Sequence, residues 1–302
     1  MKKYDVVLLT DHRYEQPAKV DWYIEQILQE DQLLISQLEN HNLKVIRKNW
    51  RSSDFDWSEC ELAVFRTTWD YFDRFKEFSK WLNVVSNQTN LLNPIELIRW
   101  NMDKHYLLDL EEKGINIIPM LIEEAGSNIT LKEFLNQSGW QDCVLKPTVS
   151  GAGRHTYRIN VNNTKEYEHI FSDLLNEEAI ILQPFQDNIV TSGEYAFMMI
   201  NGQFTHAVLK VAKPGDFRVQ DDFGGTVHKY KPKNQEIEFA ESVFSAMAQT
   251  PVYGRVDLIY DNNEQLAVTE LELIEPEMWF RLYPPASKLF ADAILQLLAV
   301  TG

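Results

Sequence analysis

The distribution of apolar positions predicts a first group of strands and helices that ends near residue 95. Residues 4–10 contain a continuous apolar run, Val-Val-Leu-Leu, which is typical of a buried parallel strand. Apolar residues then recur at helical spacing over residues 21–38 and again over residues 74–85. Further strands are predicted at residues 43–47, 62–66 and 91–93. This order, β-α-β-β-α-β, predicts a small doubly wound α/β domain.

The pattern changes after residue 95. One helix is predicted from Glu96 to Lys113, because Gly114 supplies a typical helix end. Thr130 and Glu133 have the spacing of a capping box and predict a helix over residues 131–137. The other predicted elements are strands at 143–147, 155–159, 179–185, 192–200 and 204–211, helices at 167–175, 234–247 and 285–298, and a hairpin within 252–274.

Three carboxylates occur in the two apolar runs of that hairpin. Asp257 lies in the first run, and Glu270 and Glu272 lie two residues apart in the second, on one face of a strand. The turn residues 261–264 between the runs would bring the three side chains together. Carboxylates at such short range repel one another unless a divalent cation lies among them. The alternative is a solvated polar face of a two-layer sheet, and the hairpin alone does not decide between them.

A lysine is predicted inside a buried strand, directly before a glycine-rich turn. Lys146 and Pro147 are followed by residues 150–153, Ser-Gly-Ala-Gly. A buried lysine needs an anionic partner, and glycines let backbone N–H groups approach phosphate oxygens. The turn lies between strands and lacks the Gly-Lys-Ser/Thr ending of a Walker A loop. By itself it is more typical of a plain hairpin turn, and the preceding Lys-Pro favours a phosphate site.

Two further segments have both a functional and a structural interpretation. Residues 210–225 contain Lys210, Lys213 and Arg218 among glycines, which suits a mobile phosphate clamp or an exposed basic loop. Residues 66–71, Arg-Thr-Thr-Trp-Asp-Tyr, follow a predicted strand. They line a substrate pocket, which their position favours, or they begin a helix at the positive end of its dipole.

Charge and cysteine content exclude several classes of protein. The chain has 302 residues and a formal net charge of −16, which argues against nucleic acid or an anionic membrane as the main partner. The two cysteines, Cys60 and Cys143, lack metal-ligand spacing, which indicates a reducing compartment. The first apolar run is too short for a signal peptide, and no run reaches the roughly 20 residues of a membrane span. We therefore expect a cytoplasmic protein.

The order of these motifs resembles the ATP-grasp ligases over about residues 95–285. The matching residues are Asp103-Lys104, Lys146-Pro147, Gln183-Pro184-Phe185, Gly193-Glu194, Arg218, Arg255-Val-Asp257 and Glu270-Leu-Glu272. The resemblance implies an α/β fold, with α+β character within the grasp. It further implies a Rossmann-like pre-ATP-grasp domain at 1–95, a central subdomain with a glycine-rich lid at 96–182 and a C-terminal subdomain with the metal site at 183–302.

The resemblance also implies ligands and residue roles. ATP would lie between the halves of the grasp, with two Mg²⁺ ions, or Mn²⁺, bound by Asp257, Glu270 and Glu272. The nucleotide contacts it implies are Lys104, Lys146, Ser150, Gly151, Gly153, Gln183, Pro184, Phe185, Glu194 and Lys210. Arg218 and Arg255 would act on the transferring phosphoryl group. Substrate contacts are expected at Arg66 and Arg281 for a carboxylate, and at Asp70 and Glu275 for an ammonium group.

A narrower similarity is to the subgroup that contains the O-ureido-serine cyclo-ligase of cycloserine biosynthesis. It rests on residues 66–71, 99–104, 215–218 and 270–276. Two positions depart from the commoner ATP-grasp pattern. Glu272 replaces the usual asparagine, which keeps an oxygen ligand and adds charge. Gln183 replaces the usual acidic residue of the hinge, so backbone groups would read adenine instead of an acidic side chain.

We therefore expect an ATP-dependent carboxylate–amine ligase that forms an acyl phosphate and releases ADP and phosphate. Its substrate would be a small, amino-acid-like carboxylate, joined to an amine-type nucleophile between molecules or within one. A non-catalytic ATP-binding regulatory module and a ligase acting on a peptide or protein terminus are the alternatives. The sequence leaves the oligomeric state open, with a homodimer among the alternatives.

Overall fold

The computed structural model describes residues 2–220 and 223–301, which form three β-sheets in succession along the chain. The strands of the first sheet are β1 (Tyr4–Thr10), β2 (Val45–Asn49), β3 (Cys60–Thr67) and β4 (Asn90–Leu92). Those of the second are β5 (Leu121–Glu123), β6 (Asp142–Pro147), β7 (Tyr157–Asn160) and β8 (Ile180–Pro184). Those of the third are β9 (Glu194–Ile200), β10 (Gln203–Val211), β11 (Thr226–Tyr230), β12 (Tyr253–Tyr260) and β13 (Leu266–Glu272).

Helices connect and cover these sheets. They are α1 (His12–Glu15), α2 (Trp22–Glu39), α3 (Phe75–Val85), α4 (Ile95–Asn101), α5 (Tyr106–Glu112), α6 (Leu131–Ser138), α7 (Thr164–Leu175), α8 (Asn188–Ser192), α9 (Asn234–Ser245) and α10 (Pro285–Thr301). None of the helices in the described ranges is long and apolar enough to cross a membrane. The short helices α1 and α8 were not predicted, because four or five residues are too few to show apolar periodicity.

The first sheet is parallel, with the strand order β2-β1-β3-β4. Successive residues of β1 point to opposite faces, so Val6 and Leu8 belong to one apolar cluster and Val7 and Leu9 to another. Helix α3 covers the second face. Helices α2 and α10 cover the first face, so the last helix of the chain packs on its first sheet. Coverage on both faces explains why β1 is continuously apolar.

The helix predicted over residues 96–113 is interrupted, which corrects the sequence interpretation. It ends at Asn101 and restarts at Tyr106. Within the break, the Asp103 side chain accepts the N–H of His105 at 3.1 Å. The N–H of Lys104 donates to the carbonyl of Thr148 at 3.0 Å. These bonds take Lys104 out of the predicted helix and bring it against the glycine-rich turn.

The second and third sheets are antiparallel, with the strand orders β5-β8-β6-β7 and β11-β10-β9-β12-β13. The glycine-rich turn joins β6 to β7. Asn201 and Gly202 join β9 to β10 with φ angles of 50° and 75°, as a type I′ turn requires. The strands β12 and β13 form the predicted hairpin, and its register sets Asp257 directly opposite Glu270.

Candidate active site

A cleft of about 880 Å³ lies between the second and third sheets. It is lined by every predicted nucleotide contact except Lys210, namely Lys104, Lys146, Ser150, Gly151, Gly153, Gln183, Pro184, Phe185 and Glu194. Arg218 and Glu270 line it as well. Its lining combines apolar side chains with a few charged groups, as sites that bind small molecules or cofactors do.

One part of the cleft is apolar. Ile118, Val144 and Ile259 line it beside Phe185. Gln183 is buried, and its side-chain amide donates to the carbonyl of Ile118 at 3.3 Å. An apolar slot next to chain segment 183–186 can accept a flat aromatic ring. Sequence reasoning missed these aliphatic residues because they do not differ in type from core residues.

Two lysines give the cleft its positive charge. The Lys104 ammonium lies 3.0 Å from Glu270 Oε1 and donates to the carbonyl of Ser150. Burial and the neighbouring charge of Lys104 lower the pKa of Lys146 to about 8. Two such cations at one end of a cleft provide a binding site for an anion.

The glycine-rich turn makes close contacts that a side chain would prevent. A Cβ at Gly151 would lie 2.6 Å from Cε1 of Phe72. Gly153 has a φ of 67°, and a Cβ there would lie 2.9 Å from Cε2 of Phe223. The turn is therefore packed between two aromatic rings, one from the N-terminal segment and one from the loop that carries Arg218.

The three carboxylates of the hairpin meet beside the cleft. Asp257, Glu270 and Glu272 each offer an oxygen, and these atoms lie within 4.8 Å of one another. Asp257 is only 1% exposed, which excludes a solvated polar face. Its carboxylate accepts from Arg255 Nε at 2.8 Å and from Lys210 Nζ at 2.7 Å. Burial raises the pKa of Asp257, but Arg255 and Lys210 outweigh this effect, and the pKa is lowered overall.

This group fits a divalent cation by its chemistry. Carboxylate oxygens are the ligands that Mg²⁺ prefers, and side chains from β12 and β13 present them on one face. Lys104, Lys210 and Arg255 neutralise the three carboxylates in this structure. Burial, together with the negative charges of Glu270 and Glu275, keeps the pKa of Glu272 well above its usual value despite Arg255. A bound cation beside Glu272 would stabilise the ionised form of its carboxyl group.

A second cavity, which we call the chamber, has a volume of about 730 Å³ and shares lining residues with the cleft. The shared residues are Gly151, Ala152, Gln220 and Glu270. The chamber is otherwise lined by the charged residues Lys210, Arg255, Glu272, Glu275 and Glu277 and by the aromatic residues Tyr23, Trp69, Phe72 and Trp279. Burial and the charge of Glu270 raise the pKa of Glu275 to about 7.

Lys210 lines the chamber and not the cleft, unlike the other expected nucleotide contacts. Its ammonium pairs with Glu194 Oε2 at 2.6 Å and with Asp257 at 2.7 Å. The register of β9 and β10 causes this placement, because Lys210 lies directly opposite Glu194. The arginine predicted to act on the phosphoryl group, Arg255, also lines the chamber.

Arg66, predicted to bind a substrate carboxylate, is part of a buried ion-pair network instead. It is 1% exposed, and its Nε lies 3.1 Å from Oδ1 of Asp31. Its Nη2 lies 3.5 Å from Oε1 of Glu30. Both carboxylates belong to α2, and Arg66 lines neither the cleft nor the chamber.

Asp70 and Arg281 also lie outside both cavities, whereas Glu275 lines the chamber as expected. Asp70 is buried and accepts a hydrogen bond from Trp50 Nε1 at 2.6 Å. Arg281 pairs with Glu277 and lies 3.9 Å from Glu30. Asp70 and Arg281, which sequence reasoning assigned to a substrate, are thus already in contact with neighbouring side chains of the protein.

Two protein-family models match the chain. The N-terminal domain of D-cycloserine synthetase DcsG matches residues 6–93, and the ATP-grasp domain of prokaryotic glutathione synthetase matches residues 116–271. The chain belongs to the ATP-grasp family. The predicted fold class and the predicted enzyme class, an ATP-grasp carboxylate–amine ligase, are confirmed.

Individual ATP-grasp relatives agree with the family match. The cycloserine biosynthesis protein DcsG from Streptomyces lavendulae is 28% identical, over 83% of this chain and 87% of that protein. The crystal structure of D-cycloserine synthetase DcsG has a TM-score of 0.83 at 26% identity and covers 97% of this chain and 99% of its own. A D-alanine–D-alanine ligase from Bacillus anthracis has a TM-score of 0.66 at 12% identity, covering 99% of this chain and 100% of its own. This last likeness concerns the fold alone.

Proposed function

We propose that this ATP-grasp enzyme phosphorylates the carboxylate of a small molecule with ATP and joins the resulting acyl group to an amine-type nucleophile. ADP and phosphate are released. Glu270 carries the proposal, because its side chain lines both the cleft and the chamber. A nucleotide in the cleft and a carboxylate in the chamber would meet beside it, as phosphoryl transfer between them requires.

The cleft suits ATP along its whole length. The apolar slot and the peptide groups of residues 183–185 would hold adenine. The Glu194 carboxylate would accept from the ribose hydroxyls, and it is held in position by Lys210 and by the Thr269 hydroxyl at 2.6 Å. Lys104 and Lys146 would bind the phosphates, with the glycine-rich turn above them.

Asp257, Glu270 and Glu272 would bind two Mg²⁺ ions. When bound, Mg²⁺ neutralises the charge of the β- and γ-phosphates and polarises the transferring group. Arg255 lies beside these carboxylates in the chamber wall and would bind the oxygens of the acyl phosphate. Arg218 lines the cleft from the loop above it and would contact the γ-phosphoryl group.

The same loops would protect the acyl phosphate from water. Gly153 contacts the Phe223 ring, and the Arg218 guanidinium lies over that ring, 3.8 Å from its centre. The two loops therefore touch each other at the cleft. Exclusion of water here favours attack by the amine over hydrolysis.

The chamber, lined by charged and aromatic side chains, would hold a small amino-acid-like substrate. The similarity to a cycloserine biosynthesis protein supports the same size class. Ring closure within one molecule and ligation between two molecules would use the same activating residues.

Purified enzyme with ATP, Mg²⁺ and hydroxylamine tests this function, because hydroxylamine converts acyl phosphates into hydroxamates. With a panel of amino acids as carboxylates, we expect ADP and hydroxamate to form in equal amounts. Glu270→Gln should lower both at least 100-fold, since a metal ligand and the partner of Lys104 are lost. Glu264→Gln, an exposed change in the same hairpin, should leave both unchanged.

Two outcomes would contradict the proposal. Turnover that persists in Glu270→Gln would show that Glu270 is not a required ligand of Mg²⁺. ATP binding without ADP release for any member of the panel would favour the regulatory module instead.

A further inference from the structure

A groove of about 1260 Å³ runs between the N-terminal segment and the connection that joins β6 to β7. It is lined on one side by residues 72–77 and on the other by Val149, Arg154 and Glu178. An ion pair crosses it, because Arg154 Nε lies 3.1 Å from Asp73 Oδ1. The groove is therefore a boundary between two segments that a charged contact holds together.

Arg154 is also part of the glycine-rich turn, which it follows directly in the chain. Its N–H donates to the carbonyl of Gly151 at 3.0 Å, and its carbonyl accepts the Ser150 hydroxyl at 2.8 Å. Its guanidinium donates to both oxygens of Glu178, at 3.0 and 2.9 Å, and pairs with Asp73 as well. The position of this guanidinium therefore influences the conformation of the turn.

The residue before Asp73 contacts the same turn from the chamber. Phe72 is buried, lines both the chamber and the groove, and lies against Gly151. Gly151 and Ala152 in turn line both the cleft and the chamber. Two consecutive residues of the N-terminal segment thus hold the turn in place, one by packing and the other by charge.

We propose that Asp73 and Arg154 are positioning residues, whose ion pair holds the glycine-rich turn closed against the N-terminal segment during phosphoryl and acyl transfer. The inference rests on the proposed function. Neither side chain lines the cleft or the chamber, so both act through Ser150 and Gly151 of the turn. If the pair is broken, water reaches the acyl phosphate, regenerates the carboxylate and releases phosphate, so that ATP is consumed without ligation.

The ratio of ADP to hydroxamate in the hydroxylamine assay tests this role, because a merely structural role would change rates and not the ratio. The wild type should give a ratio of about one. In Asp73→Asn, ADP should exceed hydroxamate by about two- to fivefold, the size of effect that a partly exposed ion pair can supply. Asp73→Glu keeps the charge and should restore a ratio near one. Asp54→Asn, an exposed change in the same segment, serves as the matched control.

A double-mutant cycle shows whether Asp73 acts through Arg154. Arg154→Met should raise the ratio at least as much as Asp73→Asn does, because the pair with Glu178 is lost too. Asp73→Asn should then have no further effect in the Arg154→Met background. A ratio of one in Asp73→Asn, or effects of the two changes that simply add, would overturn the inference.

Hydrogen–deuterium exchange distinguishes this failure from failure of the ligase function, because it needs no turnover. With AMPPNP and Mg²⁺ bound, amides of residues 149–156 should exchange about two- to fivefold faster in Asp73→Asn than in the wild type. Faster exchange in this variant, with no ADP released by the wild type, would contradict the ligase and support the ion pair. Identical exchange, with equal ADP and hydroxamate in both proteins, would contradict the ion pair and support the ligase.

Discussion

At the scale of single residues, Lys146 has an unusually low pKa for a lysine. Its pKa is lowered to about 8 by burial and by Lys104, so the free protein loses this charge as the pH rises above 8. Bound phosphates favour the charged form, and ATP binding above pH 8 therefore takes up a proton. The affinity for ATP should fall by up to about tenfold per pH unit between pH 8 and 9.5.

Titrations with AMPPNP from pH 7 to pH 9.5 measure this effect. In Lys146→Met, affinity at pH 7 should be lower and the fall above pH 8 should be absent. Lys132→Met, which changes an exposed lysine in α6, serves as the matched control and should behave as the wild type. An affinity that is flat with pH in the wild type would show that Lys146 does not carry the phosphate contact.

His206 should make the stability of the protein depend on pH in the acid range. It is 8% exposed, its Nε2 lies 2.8 Å from the carbonyl of Met278, and burial lowers its pKa from 6.5 to about 4. The unfolded chain binds the proton more readily than the folded protein does. The neutral His206 side chain therefore contributes fully to the free energy of unfolding above pH 6.5, and this contribution is lost as the pH falls to about 4. The loss should approach about 3 kcal/mol.

Urea denaturation between pH 7 and pH 4 tests this dependence. The slope attributed to His206 should disappear in His206→Gln, while His169→Gln, which alters an exposed histidine in α7, should leave it in place. A slope that is the same in His206→Gln and in the wild type would assign the acid sensitivity to other groups.

The roles of the hairpin carboxylates could be inferred from the sequence, whereas the roles of the charged residues in the N-terminal segment could not. Glu270 and Glu272 are two positions apart in a strand, so they must share a face, and a short turn brings Asp257 to them. Arg66 was misassigned because its partners, Glu30 and Asp31, lie 35 or 36 positions earlier on what reads as the polar face of an amphipathic helix. No local pattern reveals such a pair.

At the scale of elements, the strand β13 carries two of the three carboxylates although it lies at the edge of its sheet. The backbone of residues 116–118 pairs with this edge at Val268, and side chains occupy the edge farther along. Asn101 donates to the carbonyl of Leu271 at 2.7 Å and accepts the N–H of Leu273 at 2.8 Å. The Tyr106 hydroxyl accepts the N–H of Leu271 at 2.9 Å. These bonds hold the backbone on both sides of Glu272.

Asn101→Ala should therefore weaken both folding and metal binding. Two buried backbone groups would lose their partners, which predicts a loss of about 2 to 4 kcal/mol in the free energy of unfolding. The Mg²⁺ concentration for half-maximal ADP release should rise, because Glu270 and Glu272 lose their support. Denaturation and Mg²⁺ titration measure the two effects. Asn87→Ala, an exposed change after α3, should alter neither, and a normal Mg²⁺ requirement in Asn101→Ala would contradict the supporting role.

The break between α4 and α5 shows why element boundaries were predicted less well than element types. Leu97, Leu107 and Leu110 all belong to one apolar cluster, so helical spacing continues across the break. The break itself depends on a contact of Lys104 with the carbonyl of Thr148, which lies in a distant segment. Periodicity cannot contain that information.

At the scale of the whole molecule, one apolar cluster joins the first sheet to the third. It includes Val6 and Leu62 from the first sheet, Met198 and Tyr253 from the third, and Phe290 from α10. We keep the division at 1–95, 96–182 and 183–302 as a proposal, since each segment contains one sheet apart from the last two residues of β8, Gln183 and Pro184, which fall in the third segment. The packing of α10 on the first sheet implies that the first and third segments stabilise each other.

Phe290→Ala tests this coupling in the full chain. Phe290 is fully buried, and its ring lies 4.7 Å from the Tyr253 ring, so its loss leaves a cavity worth about 3 to 5 kcal/mol. Leu289→Ala, a change at a neighbouring exposed position, should cost less than about 0.5 kcal/mol. Tryptophan fluorescence reports mainly the N-terminal segment, and loss of AMPPNP binding reports the cleft. Both transitions should shift together in Phe290→Ala, because a shared core cannot be weakened for one segment alone; a shift in only one of them would show that the segments unfold independently.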